Sequence, residues 1–361
     1  MLPGDRLRVV GRTEHLEVHL PAWARTHGHS AFGDVIVRGS APDKRWAGAV
    51  RAGGPSTPVD QPPRSWGLAA RGSLVEAGGP PLDVADLDDR GEVWTDLAPK
   101  LYAQAAANQW DPATAIDWSP PDLPVDVEDA VIQVMTYMVE NEQAALAVPA
   151  RFVWRIHPHF REIIQFLATQ IADEARHVEV FVRRASLAGR PLGISGVGGR
   201  ASLATLVNET DWTTASFLLS VLGEGTFLSL LAFLERFAPD PVTARIARLT
   251  LQDEARHVAF AMGHLREMVV DDPRTRDRIR AAIERRHDTL ATTSGLAQPV
   301  HDALVVLAAG AWTAHAIAAG WASVRALEEE MDTGRRRRLV RLGFSEAEAA
   351  ELSQLHTRNF M

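Results

Sequence analysis

The chain has 361 residues, 46% hydrophobic and 23% charged, enough to bury a sizeable globular core. With no cysteine and only two lysines (Lys44, Lys100), it excludes disulfide frameworks, zinc-thiolate sites, cysteine-held iron-sulfur clusters and a Gly-Lys phosphate loop, so a protein-held metal must rest on His, Asp or Glu. A net charge of −8 argues against a nucleic-acid partner.

In chain order, 22 of the 47 glycines and prolines fall in residues 1–93, which predicts a loop-rich N-terminal segment. Within it, His15 to Leu20 and Asp34 to Val37 read as short strands. Asp5, Glu14 and Glu17 interrupt the first twenty residues, no signal peptide is visible, and a cytoplasmic location is the expectation. Residues 94–361 read as one all-α domain, with helices near 95–109, 126–155, 159–188, 201–237, 240–270, 273–293, 298–332 and 345–356. Asp240-Pro241 and Ser345 with Glu348 are helix-start signals, and Pro149 should kink or end the second helix. The apolar stretch Ala303 to Val324 reads as a buried bundle helix, not a membrane span, because Thr313, His315 and Ser323 interrupt it. Arg335 to Arg338 follow the acidic run Glu328 to Glu330 and read as solvated surface.

The run Asp173-Glu174-Ala175-Arg176-His177-Val178 recurs, identical, as Asp253-Glu254-Ala255-Arg256-His257-Val258. A lone Glu-x-x-His is worth little, and Glu284-x-x-His287 is a third instance whose helical neighbours Asp277, Arg280 and Asp288 place it on a wet face. The repeated pairs differ: Leu167, Ile171, Val178 and Phe181 flank Glu174, and Ala247, Leu251, Val258 and Ala261 flank Glu254. A carboxylate and an imidazole at i, i+3 on one apolar face can bind the same ion. Each preceding helix should add one carboxylate. Glu224 has Phe217, Val221, Phe227 and Leu228 at helical spacing, and Glu142 has Met135, Met138, Val139 and Leu146, whereas Glu140 has polar neighbours. Val139-x-x-Glu142 also aligns with Val221-x-x-Glu224 in the duplication.

Four carboxylates in an apolar interior protonate unless cations lie between them, and two divalent ions neutralise four carboxylates. Four carboxylates with two neutral imidazoles (Glu142, Glu174, His177, Glu224, Glu254, His257) suit iron or manganese better than magnesium or calcium. Gly223 and Gly225 beside Glu224 mark either space next to the metals or close packing and a π-bulge. Pocket walls are expected from Met138, Phe166, Phe181, Phe217 and Phe227.

These residues resemble the ferritin-like superfamily of diiron-carboxylate proteins, whose four-helix core carries Glu, Glu-x-x-His, Glu, Glu-x-x-His. The resemblance covers about residues 126–270 and implies a ferritin-like bundle, with residues 271–361 as additional C-terminal helices. It implies two iron ions, with manganese or a mixed Mn/Fe pair as variants, and makes Asp173 and Asp253 carboxylates that orient a ligand His across the site. The alternative for them is a surface pair with Arg176 or Arg256.

Within that group, Phe181 occupies the radical-tyrosine position of the ribonucleotide reductase small subunit, Thr250 that of the third histidine of arylamine N-oxygenases, and Phe227-Leu228 that of a threonine of the desaturases and multicomponent hydroxylases. Tyr137, beside Glu140, is placed on the polar side of its helix. The resemblance therefore implies a diiron oxygenase or oxidase that uses O2 to hydroxylate, N-oxygenate or desaturate a small organic substrate. A ferredoxin or flavin reductase would supply electrons, and a homodimer is allowed. The alternative is a ferroxidase, manganese catalase or other metal-handling protein, distinguished by a tight core with an acidic access path.

Overall fold

Apolar residues recurring every third or fourth position set the long helices of this chain, and side-chain caps, glycine and proline set their ends. The computed structural model describes residues 1–11, 14–39, 46, 48–291 and 298–356, and the chain divides into two compact units, Met1–Asp88 and Asp89–Met361.

In the first unit, strands β1 (Arg6–Arg8), β2 (Ser30–Phe32) and β3 (Val35–Val37) form an antiparallel sheet in the order β1-β3-β2, and β4 (Val50–Arg51) pairs antiparallel with β5 (Leu74–Val75). The apolar run at Asp34 to Val37 thus supplies the central strand. His15 to Leu20 does not form a strand. Helix α1 (Leu16–Thr26) starts there, because Leu20 and Ala24, one turn apart, are the residues that bury.

The second unit begins with α2 (Arg90–Val93), α3 (Ala98–Ala107) and α4 (Pro112–Ala115). The bundle follows as α5 (Val125–Val153), α6 (Arg161–Ala185), α8 (Trp212–Phe237) and α9 (Pro241–Asp271), with α7 (Val197–Val207) between the halves. Helices α10 (Arg274–Leu290), α11 (Gln298–Ala309), α12 (Ala314–Arg341) and α13 (Glu346–Gln354) complete it. Helix α5 packs on α6 and α8 on α9, α6 against α9 joins the two pairs, and α3, α11 and α12 cover α6, α5 and α8. This is an all-α bundle with additional C-terminal helices. Fully buried Arg184 of α6 ties three helices together, donating to both oxygens of Glu128 on α5 at 2.7 and 2.9 Å and to Asp240 and Thr243 at the start of α9 at 2.8 Å.

The caps expected at Asp240 and Ser345 are present: Asp240 accepts from the Thr243 amide, and Ser345 and Glu348 form a capping box. Two expected helices are divided by caps that apolar periodicity does not reveal. Asp211 accepts from the Thr214 amide and separates α7 from α8, and Thr313 accepts from the Ala316 amide after Gly310, at φ +63, so α11 and α12 meet at a 118° bend. The Ala303 to Val324 stretch is therefore not one buried helix, and Trp312 and Trp321 are exposed on it. Helix α5 continues past Pro149 to Val153, since a proline so near the end removes one hydrogen bond and little else. Arg335 to Arg338 are not all solvated: α12 packs on α8 and α13, which buries Arg335 and most of Arg338. Tyr137 is buried against Phe227 at 6.0 Å between ring centres, not on a polar face, because α8 brings Phe227 to that side of α5.

Among the described residues, α8 alone is long and apolar enough by itself to cross a membrane. Most of it is buried, and it turns a glutamate inward.

Candidate metal centre

The duplicated hexapeptide sits mid-helix on α6 and α9, and i, i+3 spacing puts each glutamate beside its histidine on the face turned into the bundle. Glu142 of α5 and Glu224 of α8 point into the same interior, and all six side chains are buried. Ligand atoms gather in two groups, each within 4.8 Å: Glu142, Glu174, His177 and Glu254, and Glu174, Glu224, Glu254 and His257. Bonds of roughly 2 Å let a single ion satisfy each group. Glu174 and Glu254 belong to both and would bridge two ions. Glu140 is only half-buried and outside both groups; Glu284 is exposed beside Arg280, away from the cluster.

The imidazoles present Nδ1 to the cluster. His177 Nδ1 lies 3.2 Å from Glu174, 3.4 Å from Glu142 and 3.4 Å from Glu254, and His257 Nδ1 lies 3.1 Å from Glu174 and 3.5 Å from Glu254. Their Nε2 atoms face the opposite helix: that of His177 donates to Asp253 at 3.2 Å and that of His257 to Asp173 at 3.3 Å. The two aspartates thus reach the histidines across the site and are also paired with arginine. Arg176 donates to Asp173 and, at 3.0 Å, to Asp253, while Arg256 donates to Asp253 and, at 3.5 Å, to Asp173. The pairing with Arg176 and Arg256 exists, but in the interior, not on the surface.

Partners that sequence reading missed surround this network. Gln109, just past α3, donates to Asp173 at 3.1 Å, and the Trp110 indole donates to Asp253 at 2.8 Å while Arg176 lies 4.6 Å over its ring. Gln170, visible in the sequence only as a polar break in an apolar face, donates to Glu224 at 3.0 Å.

The chemistry of the donors fits two cations. Among the described residues, oxygens of Glu142, Glu174, Glu224 and Glu254 and Nδ1 of His257 are buried without a hydrogen-bond partner, although those of Glu174, Glu254 and His257 lie within 3.5 Å of other ligand atoms. Groups arranged this way converge on shared points instead of bonding to one another. Burial, with repulsion from Glu174, raises Glu142 well above the usual carboxylate range, and burial with repulsion from Glu254 does the same for Glu224. Burial opposes charge on His177 and His257, but the surrounding carboxylates outweigh it and raise both. Burial likewise opposes charge on Glu174, and the two histidines overcome it and hold that carboxyl low. Without metal, protons fill the seats that suit cations.

A cavity of about 20 Å³, room for a molecule the size of water, reaches this cluster. It ends on Glu142, Glu224 and Glu254, and its walls include Ala145, Leu203, Leu206, Leu219, Gly223 and Phe227. Of the aromatic walls expected from the sequence only Phe227 lines it. Met138 and Phe181 are core, Phe217 is fully buried, and Phe166 stacks on Phe260 at 4.3 Å. These side chains face the interior as their spacing requires, but neighbouring helices fill the space around them.

No protein-family profile matches the sequence, and no curated protein matches it. Solved structures do. Two variants of an R2-like ligand-binding oxidase with an aerobically reconstituted Mn/Fe cofactor are 19% identical, with a TM-score of 0.51; each match covers 71% of this chain, and 95% and 94% of theirs. A third variant is 18% identical with a TM-score of 0.50, covering 72% of this chain and 94% of its own. The chain therefore shares the ferritin-like fold of the R2-like oxidases, and its buried carboxylate and histidine cluster is compatible with a dinuclear metal site.

Proposed function

We propose that the protein is a dinuclear non-haem metal oxidase that uses dioxygen to oxidise a small, largely apolar organic substrate by hydroxylation, N-oxygenation or desaturation. The observation that carries this reading is the apolar cavity ending on Glu142, Glu224 and Glu254 of a six-ligand cluster. Apart from Asn141 and the ligand glutamates its walls are aliphatic and aromatic, which favours organic oxidation over the ferroxidase or manganese catalase alternative; at about 20 Å³ it takes a molecule the size of dioxygen, and an organic substrate enters only as these side chains shift. The solved structures that share the fold are described as oxidases with a Mn/Fe cofactor, in keeping with two iron ions, two manganese ions or one of each here.

Glu142 and His177 would hold one ion, Glu224 and His257 the other, and Glu174 and Glu254 would bridge them. Bound there, two redox-active ions supply the electrons that reduce dioxygen. Asp253 and Asp173 accept the Nε2 protons of the histidines, so each Nδ1 lone pair faces the cluster. Arg176 and Arg256 neutralise these aspartates, and Gln170 orients the Glu224 carboxylate. Leu203, Leu206, Leu219 and Phe227 keep bulk water from the reacting atoms. A separate ferredoxin or flavin reductase renews the electrons, and a cytoplasmic homodimer belongs to the same reading.

Anaerobic titration with ferrous iron followed by oxygen exposure tests the proposal. It expects two ions per chain and oxygen uptake that becomes coupled to product once the right apolar substrate is present. Fewer than two ions, or steady accumulation of ferric mineral, would overturn it.

A further inference from the structure

The last turn before Glu224 is not α-helical. Phe217–Glu224 is a π-helical stretch within α8, ending on the glutamate itself. A π turn adds a residue per turn, redirects the side chains that follow, and is less stable than the α-helix on either side, so it persists where something holds it.

One side chain, from a helix outside the four-helix core, holds this turn on both sides of Glu224. The Nε of Arg338 on α12 donates to the Val221 carbonyl at 2.8 Å, three residues before the glutamate. Its guanidinium also fills the space beside Gly225, immediately after it: a Cβ at residue 225 would come within 2.6 Å of Arg338 Nε and 2.7 Å of its central carbon. Gly334, one turn earlier on α12, is tight in the same way, a Cβ there meeting Arg338 Nη1 at 3.1 Å. Two glycines therefore give room to one guanidinium. Burial pushes Arg338 down to about 10, and among the described residues no carboxylate pairs with it. An arginine largely withdrawn from water without an anionic partner is costly. What it receives in return is a carbonyl of the turn that aims Glu224.

We propose that Arg338 is a positioning residue for one of the two metal positions: by bracketing Glu224 between the Val221 carbonyl and Gly225, it sets the direction of the Glu224 carboxylate toward Glu174, Glu254 and His257. This inference rests on the dinuclear reading above. It gives the C-terminal helices a part in the metal centre, since α12 carries the arginine. Among the described residues no hydrogen bond joins α12 to Glu142 or His177, so loss of Arg338 acts on the two positions unequally.

The test is anaerobic titration of the full chain with Mn(II), read by electron paramagnetic resonance, which separates a coupled ion pair from a single bound ion. Wild type should take two ions as a coupled pair. Arg338→Met should keep one tight ion and weaken the second by about tenfold or more, converting the signal to that of a single ion. Arg338→Lys, which keeps a donor for the Val221 carbonyl, should recover part of the second affinity. Gly225→Ala should weaken the second ion with Arg338 still present. Two ions with unchanged affinity in both Arg338→Met and Gly225→Ala would overturn the inference, as would parallel loss of both ions in step with the folded fraction measured by circular dichroism. If Arg338→Met does not fold, Gly225→Ala decides. Fewer than two ions in wild type would overturn the dinuclear reading, and this inference with it.

Discussion

His177 on α6 donates its Nε2 proton to Asp253 on α9 at 3.2 Å, and the relationship is returned: His257 on α9 donates to Asp173 on α6 at 3.3 Å. Each motif thus supplies the carboxylate that orients the other motif's histidine. Both aspartates are held by both arginines, but Asp253 has the shorter bonds, 2.8 Å from Trp110 and 3.0 Å from Arg176, against 3.1 Å from Gln109 and 3.5 Å from Arg256 at Asp173. Asp253→Asn keeps the shape but removes the charge that favours the required tautomer. It should lower metal affinity by roughly 10- to 100-fold, read by competition with a chelator.

The shared ligands should behave differently from the terminal ones. Glu174→Ala and Glu254→Ala each remove a group common to both positions and should reduce metal content to below one ion per chain. Glu142→Ala and Glu224→Ala should each leave close to one. Glu284→Ala, changing the exposed glutamate of the third Glu-x-x-His, should leave two. Elemental analysis of purified protein after anaerobic loading distinguishes these outcomes.

Gly223 lies in the cavity wall beside Glu224, and a Cβ there meets only the Leu218 carbonyl, at 3.4 Å. Gly223→Val fills a space of about 20 Å³. It should slow oxygen consumption by the iron-loaded protein about tenfold or more while both ions stay bound. Stopped-flow oxygen kinetics and metal analysis on the same sample measure the two effects separately.

His264 should govern part of the acid limb of stability. It is fully buried, its Nδ1 donates to the Trp94 carbonyl at 3.3 Å, its Nε2 has no hydrogen-bond partner among the described residues, and burial pushes it down to about 4. The unfolded chain takes up a proton near pH 6.5 that the folded chain refuses until about 4. Stability is therefore complete above pH 6.5 and falls as pH drops toward 4, by at most roughly 3 kcal/mol. His264→Leu should flatten urea-derived stability across that window, where wild type declines.

Much of the centre was legible because it is written in local periodicity. Identical hexapeptides at i, i+3 spacing on apolar faces select Glu174, His177, Glu254 and His257, and apolar neighbours select Glu142 over Glu140. The structure brings these together with Glu224. Gln109 and Trp110 carry no such signal, because their partners lie 64 and 143 residues away.

The glycines beside Glu224 show the same division within three residues. Both stood out as costly in a helix, yet their roles differ: Gly223 opens the cavity, and Gly225 admits Arg338. Arg335 to Arg338 looked like surface from their charge, and Met138, Phe166, Phe181 and Phe217 looked like pocket walls from their place near the ligands; what packs against them reversed both. Sequence by itself determined which ligand side chains and most apolar side chains of the four core helices face inward, since helical geometry repeats every 3.6 residues whatever lies opposite. Only the tertiary structure decided which inward faces meet another side chain, a metal seat or a void, since that depends on how helices distant in sequence pack against one another.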